Sequence, residues 1–315
     1  MTADLVTPEQ LHFFMFASAD YELLDFGEGR KLERFGSMML DRPAPAAGEV
    51  ARSQPELWSQ ATARFEVVGD PRGGERGRWI PCDALPERWT VAFGPLRFEL
   101  KPTDFGHVGV FPEQAANWKW IARQVRAPAA ESPRLKVLNL FAHTGGSTLA
   151  AAAVGAEVVH VDSARNVVAW AGRNAELSGL ASAPIRWIVE DAARFVRREL
   201  KRGNRYDAVI LDPPSFGHGP AGETWKLEDD LPALLAACTE LTAGRRRFVL
   251  LTCHTQSVTP AAARELLSAA FMKAPPESDR CISVCADRVA AGELSIESAS
   301  ENRLPCGVHA RCSAE

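Results

Sequence analysis

Residues 137–149, VLNLFAHTGGSTL, run apolar, stop at a glycine pair and restart with helix-forming residues. VLNLF alternates too little for a half-exposed strand and is too short for a buried helix. It reads as a central strand of a parallel sheet, covered on both faces. Gly145 and Gly146 let the backbone turn tightly and approach a ligand closely. The helix from Ser147 then presents unpaired N–H groups to any anionic group in the bend. This is the form of a nucleotide-type cofactor loop.

The chain beyond it keeps a regular beat. EVVHVD (157–162), IRWIVED (185–191), YDAVILD (206–212) and RRFVLLTC (246–253) read as strands. ARNVVAWAGRNAELSGL (164–180, closed by Gly179), ARFVRRELKR (193–202) and LPALLAACTELT (231–242) read as the helices between them. Strands alternating with helices predict parallel strands joined by right-handed crossovers, hence a doubly wound α/β sheet. Ligands of such sheets sit outside the carboxyl ends of the strands. Asp162, Asp191, Asp212 and Cys253 all fall on that rim.

Acid placement narrows the cofactor. Asp162 stands about twenty residues beyond the loop, where a carboxylate accepts hydrogen bonds from ribose hydroxyls. That placement suits NAD equally, but TGGSTL does not supply the G-x-G-x-x-G that a pyrophosphate needs. A cofactor with an adenosine and an amino-acid tail fits better, with Asp191 placed to meet the adenine edge. Each acid taken alone could equally be an exposed strand end or a helix N-cap.

FAHTGG (141–146), VDSA (161–164), EDA (190–192), YDAVILDPPSF (206–216) and LLTCHT (250–255) together resemble the class I S-adenosylmethionine-dependent methyltransferases. Within these the chain looks like the branch of bacterial large-subunit ribosomal RNA cytosine-5 methyltransferases, over roughly residues 95–313. HVGVFPEQAANW (107–118) is similar to the segment preceding the cofactor loop in that branch. The resemblance implies a mostly parallel seven-stranded Rossmann-like sheet and S-adenosylmethionine as cofactor. It implies cofactor contacts from Phe141, His143, Thr144, Gly145, Gly146, Asp162, Ser163, Asp191, Ala192 and Asp212. Substrate contacts would come from Pro213, Pro214, Phe216 and Gln114, and no metal is implied. Two departures stand out: the RNA-binding PUA module common in that branch is not recognisable, and Ala115 follows Gln114 where the branch tends to have Arg.

The amino-terminal third is a different kind of sequence. DYELLDFGEGRKLERFG (20–36), RWIPCDALPERWTVAFG (78–94) and PLRFELKPTD (95–104) are short segments broken by Pro and Gly. LRFELK alternates cleanly, placing Leu96, Phe98 and Leu100 on one face. They predict a small α+β domain, mainly antiparallel β, with DRPAPAAGE (41–49) as a loop and PRGGERGR (71–78) as a basic hairpin tip. PEQAANWKWIARQVR (112–126) reads as a helix with Pro at its first position. The expected division is therefore 1–126, a linker at 127–134 (APAAESPR), and a cofactor-binding domain at 135–315. Trp58, Trp79, Trp89, Trp118 and Trp120 could stack bases, although core packing is the ordinary use of such residues.

A net charge of −4 excludes a chain coated in nucleic-acid-binding charge. RNA contact would have to come from local patches such as RRELKRGNR (197–205) or RRR (245–247). Seven cysteines without a disulfide-like framework suit a reducing cytoplasm. Cys281-x3-Cys285 and Cys306-x5-Cys312 lack tetrahedral-site spacing and read as buried apolar side chains. LHFFMFASA (11–19) is short and lacks a preceding basic residue, so neither a signal peptide nor a membrane span is expected.

Two chemistries compete at the rim. Cytosine carbon 5 becomes nucleophilic only after a thiolate adds to carbon 6, and TCHT resembles the cysteine motif of that branch, which makes Cys253 the candidate nucleophile. A free thiol titrates near 8.5, so such a site must lower it with a positive field. Asp212 with Pro213, Pro214 and Phe216 could instead hold an exocyclic amine of a purine, Phe216 stacking on a flipped-out base. Asp212 and Cys253 are expected in one pocket, with His254 pointing away from Cys253. The expected activity is methylation of RNA, most directly ribosomal RNA, with cytosine carbon 5 as the first target and an exocyclic purine amine as the alternative. A small-molecule methyltransferase, a non-catalytic cofactor-binding subunit presenting RNA, and an NAD-dependent oxidoreductase are the other readings.

Overall fold

The computed structural model describes residues 14–68, 76–81, 84–127, 134–218, 224–272 and 288–313. Most of the expected linker, residues 71–75 of the basic hairpin tip, residues 11–13, and Cys281 and Cys285 lie outside them. The chain forms two units. One takes in His12–Ala115 and Ser295–Cys306, the other Ala116–Leu294 and Gly307–Glu315.

The amino-terminal unit is built on strands β1 (Tyr21–Gly27), β2 (Arg30–Phe35), β3 (Met38–Pro43), β4 (Ala63–Val67) and β5 (Gly77–Ile80), in that order across one sheet. Neighbours are antiparallel except β3 and β4, which run parallel. A separate hairpin joins β6 (Trp89–Phe93) and β7 (Leu96–Leu100). Leu96, Phe98 and Leu100 are buried as the alternation requires. DRPAPAAGE is only partly a loop, because β3 runs through Pro43 before a short 3-10 turn at Pro45–Ala47. Trp58 and Trp79 are core residues.

This small core also buries a charge cluster. Glu33 is fully buried, with Arg42 on one oxygen (Nε at 2.9 Å) and the Tyr21 hydroxyl donating to the other at 2.9 Å. Lys31 Nζ lies 3.2 Å from the same oxygen as Tyr21. Burial acts to raise the Glu33 pKa, but Arg42, Lys31 and the hydrogen bonds outweigh it and hold the carboxyl below its ordinary value. Removing one partner of such a pair strands the other charge in the core.

The second unit carries α1 (Ala115–Arg126), β8 (Lys136–Leu140), α2 (Gly146–Ala152), β9 (Glu157–Asp162), α3 (Arg165–Leu177), β10 (Ile185–Val189), α4 (Ala192–Lys201) and β11 (Ala208–Leu211). A short hairpin follows, β12 (Phe216–His218) and β13 (Thr224–Lys226), then α5 (Leu227–Leu241), β14 (Phe248–Cys253) and α6 (Pro260–Met272). The chain ends in β15 (Ala290–Glu297) and β16 (Arg303–Ser313). Among the described residues the sheet has seven strands in the order β10-β9-β8-β11-β14-β16-β15. Strands β10 to β14 are parallel neighbours, and β16 runs antiparallel to β14. This is the mostly parallel, doubly wound sheet read from the sequence. The expected cut at residue 126 gives way to one at Ala115, since α1 packs with the sheet: Trp120 meets Phe248 edge-on and Asn117 accepts from Arg311.

Strand order reverses direction at β8, which has β9 on one side and β11 on the other. The crevice that opens at such a switch point is where these sheets bind ligands. We expect Glu33→Ala to destabilise the protein by about 3–5 kcal/mol in urea unfolding, because Arg42 keeps its charge in a closed core. A change under about 1 kcal/mol would mean that water relieves Arg42.

Candidate functional site

The loop after β8 holds two non-glycine residues in the left-handed region, Phe141 at φ 54° and His143 at φ 47°. Such conformations cost on the order of 1–2 kcal/mol each and persist only when neighbours fix them. Asp162, at the end of β9, supplies that fixing. It accepts the His143 N–H on Oδ2 and the Ala164 N–H on Oδ1, both at 2.9 Å. Asn174 adds a bond from Nδ2 to the Thr144 carbonyl at 2.9 Å. Gly145 turns at φ 91°, where a Cβ would stand 3.2 Å from that of Ala171. Gly146 is a glycine for another reason: its Cβ would stand 2.4 Å from Cζ2 of Trp118. The space expected for a ligand's approach at Gly146 is filled by that indole.

A shallow cleft opens beside this loop. Of the expected cofactor residues it is lined by Phe141, Asp162, Ser163, Asp191 and Ala192, together with Pro214 from the substrate set. Trp225 forms a further wall, its ring 5.0 Å from that of Phe141 and its Nε1 donating to the Pro214 carbonyl at 2.7 Å. Asp191 is also the N-cap of α4, accepting from the Arg194 N–H at 2.8 Å. Its ordinary structural use and its rim position coexist. Thr144 is buried in the loop, and Gln114 is buried in the amino-terminal unit.

The second polar group of the site lies where β11 and β14 end. Thr252 Oγ1 donates to Asp212 Oδ1 at 2.5 Å, and His254 Nε2 lies 3.2 Å from that same oxygen. Ser215 and Thr255 face each other with hydroxyl oxygens 2.6 Å apart. Burial works to raise the Asp212 pKa, but His254, Thr252 and His143 prevail and hold it below the ordinary carboxylate value. His143 is pushed down by burial despite Asp162 and Asp212 nearby. Phe216 is 55% exposed beyond Asp212.

Cys253 lies beside this group, near enough to Asp212 to feel its charge, but is packed into the core. Side chains alternate along a strand, so the sides taken by Thr252 and His254 leave Cys253 to the core. It is fully buried among residues such as Val308 and Leu267. Burial pushes its thiol up to about 12, and Asp212 adds in the same direction. Asp212 and Cys253 are expected in one pocket; they are near enough to interact electrostatically, while the direct contacts on the Asp212 carboxylate come from Thr252 and His254. The period-two signal of β14 was present in TCHT. Trp225 and Trp118 had no local signal, because their roles depend on long-range packing.

Behind the loop, His160 Nδ1 and Thr148 Oγ1 are 2.9 Å apart, and Asn139 donates to Thr148 at 2.9 Å. Burial pushes the His160 pKa down to about 3. A histidine whose folded value lies below its unfolded 6.5 favours folding above pH 6.5 and loses that contribution as pH falls toward 3. We expect the wild type to lose about 2–3 kcal/mol to this group between neutral pH and about pH 4.5. His160→Asn, which keeps a polar atom for Thr148 but does not titrate, should lose less over the same range. Urea midpoints at the two pH values measure this, and parallel pH dependences would contradict it.

Comparison with known proteins places this geometry. The family model for S-adenosylmethionine-dependent methyltransferases matches residues 51–274. The solved structure of a SAM-dependent methyltransferase from Agrobacterium tumefaciens is 37% identical and superposes with a TM-score of 0.82, over 96% of this chain and 93% of that one. Ribosomal RNA large subunit methyltransferase I of Aeromonas hydrophila is 36% identical over 118 residues, 37% of this chain and 28% of the relative. Ribosomal RNA large subunit methyltransferase K/L of Pseudoalteromonas atlantica is 32% identical over 218 residues, 65% of this chain and 30% of the relative. The chain thus aligns with less than a third of the length of these two curated relatives. A matched family model over most of the chain, a near full-length structural relative, and acids at successive strand ends around a switch-point cleft agree: the chain belongs to the S-adenosylmethionine-dependent methyltransferases.

Proposed function

We propose that this enzyme methylates a base in RNA, specifically large-subunit ribosomal RNA. The observation that carries the reading is the Asp212–Phe216 loop beside the cofactor cleft, with Asp212 held by two donors and an exposed aromatic ring beyond it. That pairing of an acid with a stacking surface suits a flipped-out base better than a small polar metabolite. The curated relatives, both ribosomal RNA methyltransferases by name, support the same substrate. A cytoplasmic location accords with it, as does the absence, among the described residues, of a helix long and apolar enough to cross a membrane.

The residues of the cleft fit the cofactor. In this reading Asp162 accepts from ribose hydroxyls, Asp191 and Ala192 meet the adenine edge, and Phe141 and Trp225 supply its apolar wall. When bound, S-adenosylmethionine supplies a methyl group already activated by its sulfonium, the carbon–sulfur bond breaking with its electrons left on sulfur. What remains for the protein is alignment of the acceptor and disposal of one proton. Asp212 is suited to both tasks, accepting a hydrogen bond from the acceptor nitrogen and then its proton.

Two readings of the target atom follow. Carbon 5 of cytosine requires Cys253 to ionise and attack carbon 6. The burial of Cys253 and its rise to about 12 favour the second, an exocyclic amine held at Asp212. Asp162→Ala should weaken S-adenosylmethionine binding by about 1–3 kcal/mol in calorimetric titration, through loss of a charged acceptor. Unchanged affinity would remove Asp162 from the cofactor site. In a methylation assay on ribosomal RNA, Asp212→Ala should be inactive and Cys253→Ala active. The reverse pattern, with a covalent adduct at Cys253 on 5-fluorocytosine RNA, would establish the thiolate route instead.

A further inference from the structure

Strands β11 and β14 are parallel and paired from Ala208 opposite Phe248 to Leu211 opposite Leu251, so the segments that follow them leave the sheet side by side. Three side chains of the second segment reach the first. Thr252 and His254 meet Asp212 Oδ1, and the Thr255 hydroxyl meets that of Ser215. Two contacts on one carboxylate oxygen fix the rotation of the carboxyl group as well as its place. His254 is exposed and Asp212 half-buried, so water screens part of their interaction.

We propose that His254 is a positioning residue for methyl transfer, setting the orientation and the charge of the Asp212 carboxylate against which the target amine is held. This rests on the reading of Asp212 given above. TCHT then acts as a brace on the DPPSF loop, with its histidine rather than its cysteine as the functional member. The groups facing Asp212 are His254 and Thr252 at the end of β14, His143 in the loop after β8, and the Cys253 thiol. Burial keeps His143 from protonating readily, and the thiol acts on Asp212 without a positive charge. His254 is therefore the group best placed to keep the carboxyl ionised. An anionic Asp212 is the form able to take the single proton that the amine gives up when its nitrogen bonds to the methyl carbon.

The test compares wild type, His254→Ala and His254→Gln in the full chain. The glutamine amide restores an N–H near the place of Nε2 but carries no charge. The Asp212 carboxyl midpoint is read by carbon-13 NMR in the protein alone, and the pH–rate profile is read in single-turnover methylation of ribosomal RNA. In His254→Ala the carboxyl midpoint should rise by about one pH unit and the acid limb of the rate profile should move up with it. The plateau rate should fall about tenfold to a hundredfold, with S-adenosylmethionine affinity unchanged. His254→Gln should recover most of the plateau rate while its acid limb stays displaced. An unmoved carboxyl midpoint in His254→Ala overturns the proposal. Failure of the wild type to methylate RNA would instead remove the RNA reading, while the carboxyl titration would still decide the role of His254.

Discussion

Asp162 accepts the amide hydrogens of His143 and Ala164, and this pair of bonds ties the loop after the central strand to the end of its neighbour. The tie holds Phe141 and His143 in backbone conformations that neither residue adopts readily. Phe141 is thereby turned against Trp225, which makes one wall of the cleft. His143 is turned inward, close enough to Asp162 and Asp212 to feel both charges. The strain is affordable because the sheet beneath is rigid, with β8 buried from Val137 to Leu140 between β9 and β11. A site placed at the end of such strands inherits their precision, which methyl transfer needs more than it needs acid or base strength.

Two acids, at the ends of the strands that flank β8, are held in different ways. Asp162 is bonded to backbone and Asp212 to side chains; in the proposed function the first serves the cofactor and the second the acceptor. Thr252 and His254, from the end of β14, contact the Asp212 carboxylate, and His143 of the loop after β8 also acts on its charge. The thiol of Cys253, between Thr252 and His254 in TCHT, is buried in the core.

The fold was legible because its signals are periodic. Four of the parallel strands read as buried apolar runs, and EVVHVD begins and ends in the structure where the pattern placed it. Boundaries failed where a residue with a strong local meaning sat in an unusual place. The helix expected from Leu231 begins in the structure at Leu227, with Pro232 inside it. The acids Glu228, Asp229 and Asp230 build its first turn, and Lys226 N–H is held by Asp230. The cofactor rim was legible from acids spaced at strand ends. Gly146 was misread in its cause, because nothing in the local sequence announces that Trp118 covers it. The partners of Asp212 required the alternation of β14 to be carried past Cys253 to His254.

In the proposed function Asp212, held from β14, is the group that receives the methyl acceptor. The most direct measurement is the identity of the product nucleoside. Ribosomal RNA lacking the modification would be incubated with the purified enzyme and methyl-labelled S-adenosylmethionine, then digested and analysed by mass spectrometry. The account predicts one labelled nucleoside carrying the methyl group on an exocyclic nitrogen, and none when Asp212 is replaced. Label in 5-methylcytidine, or no label in RNA at all, would contradict it.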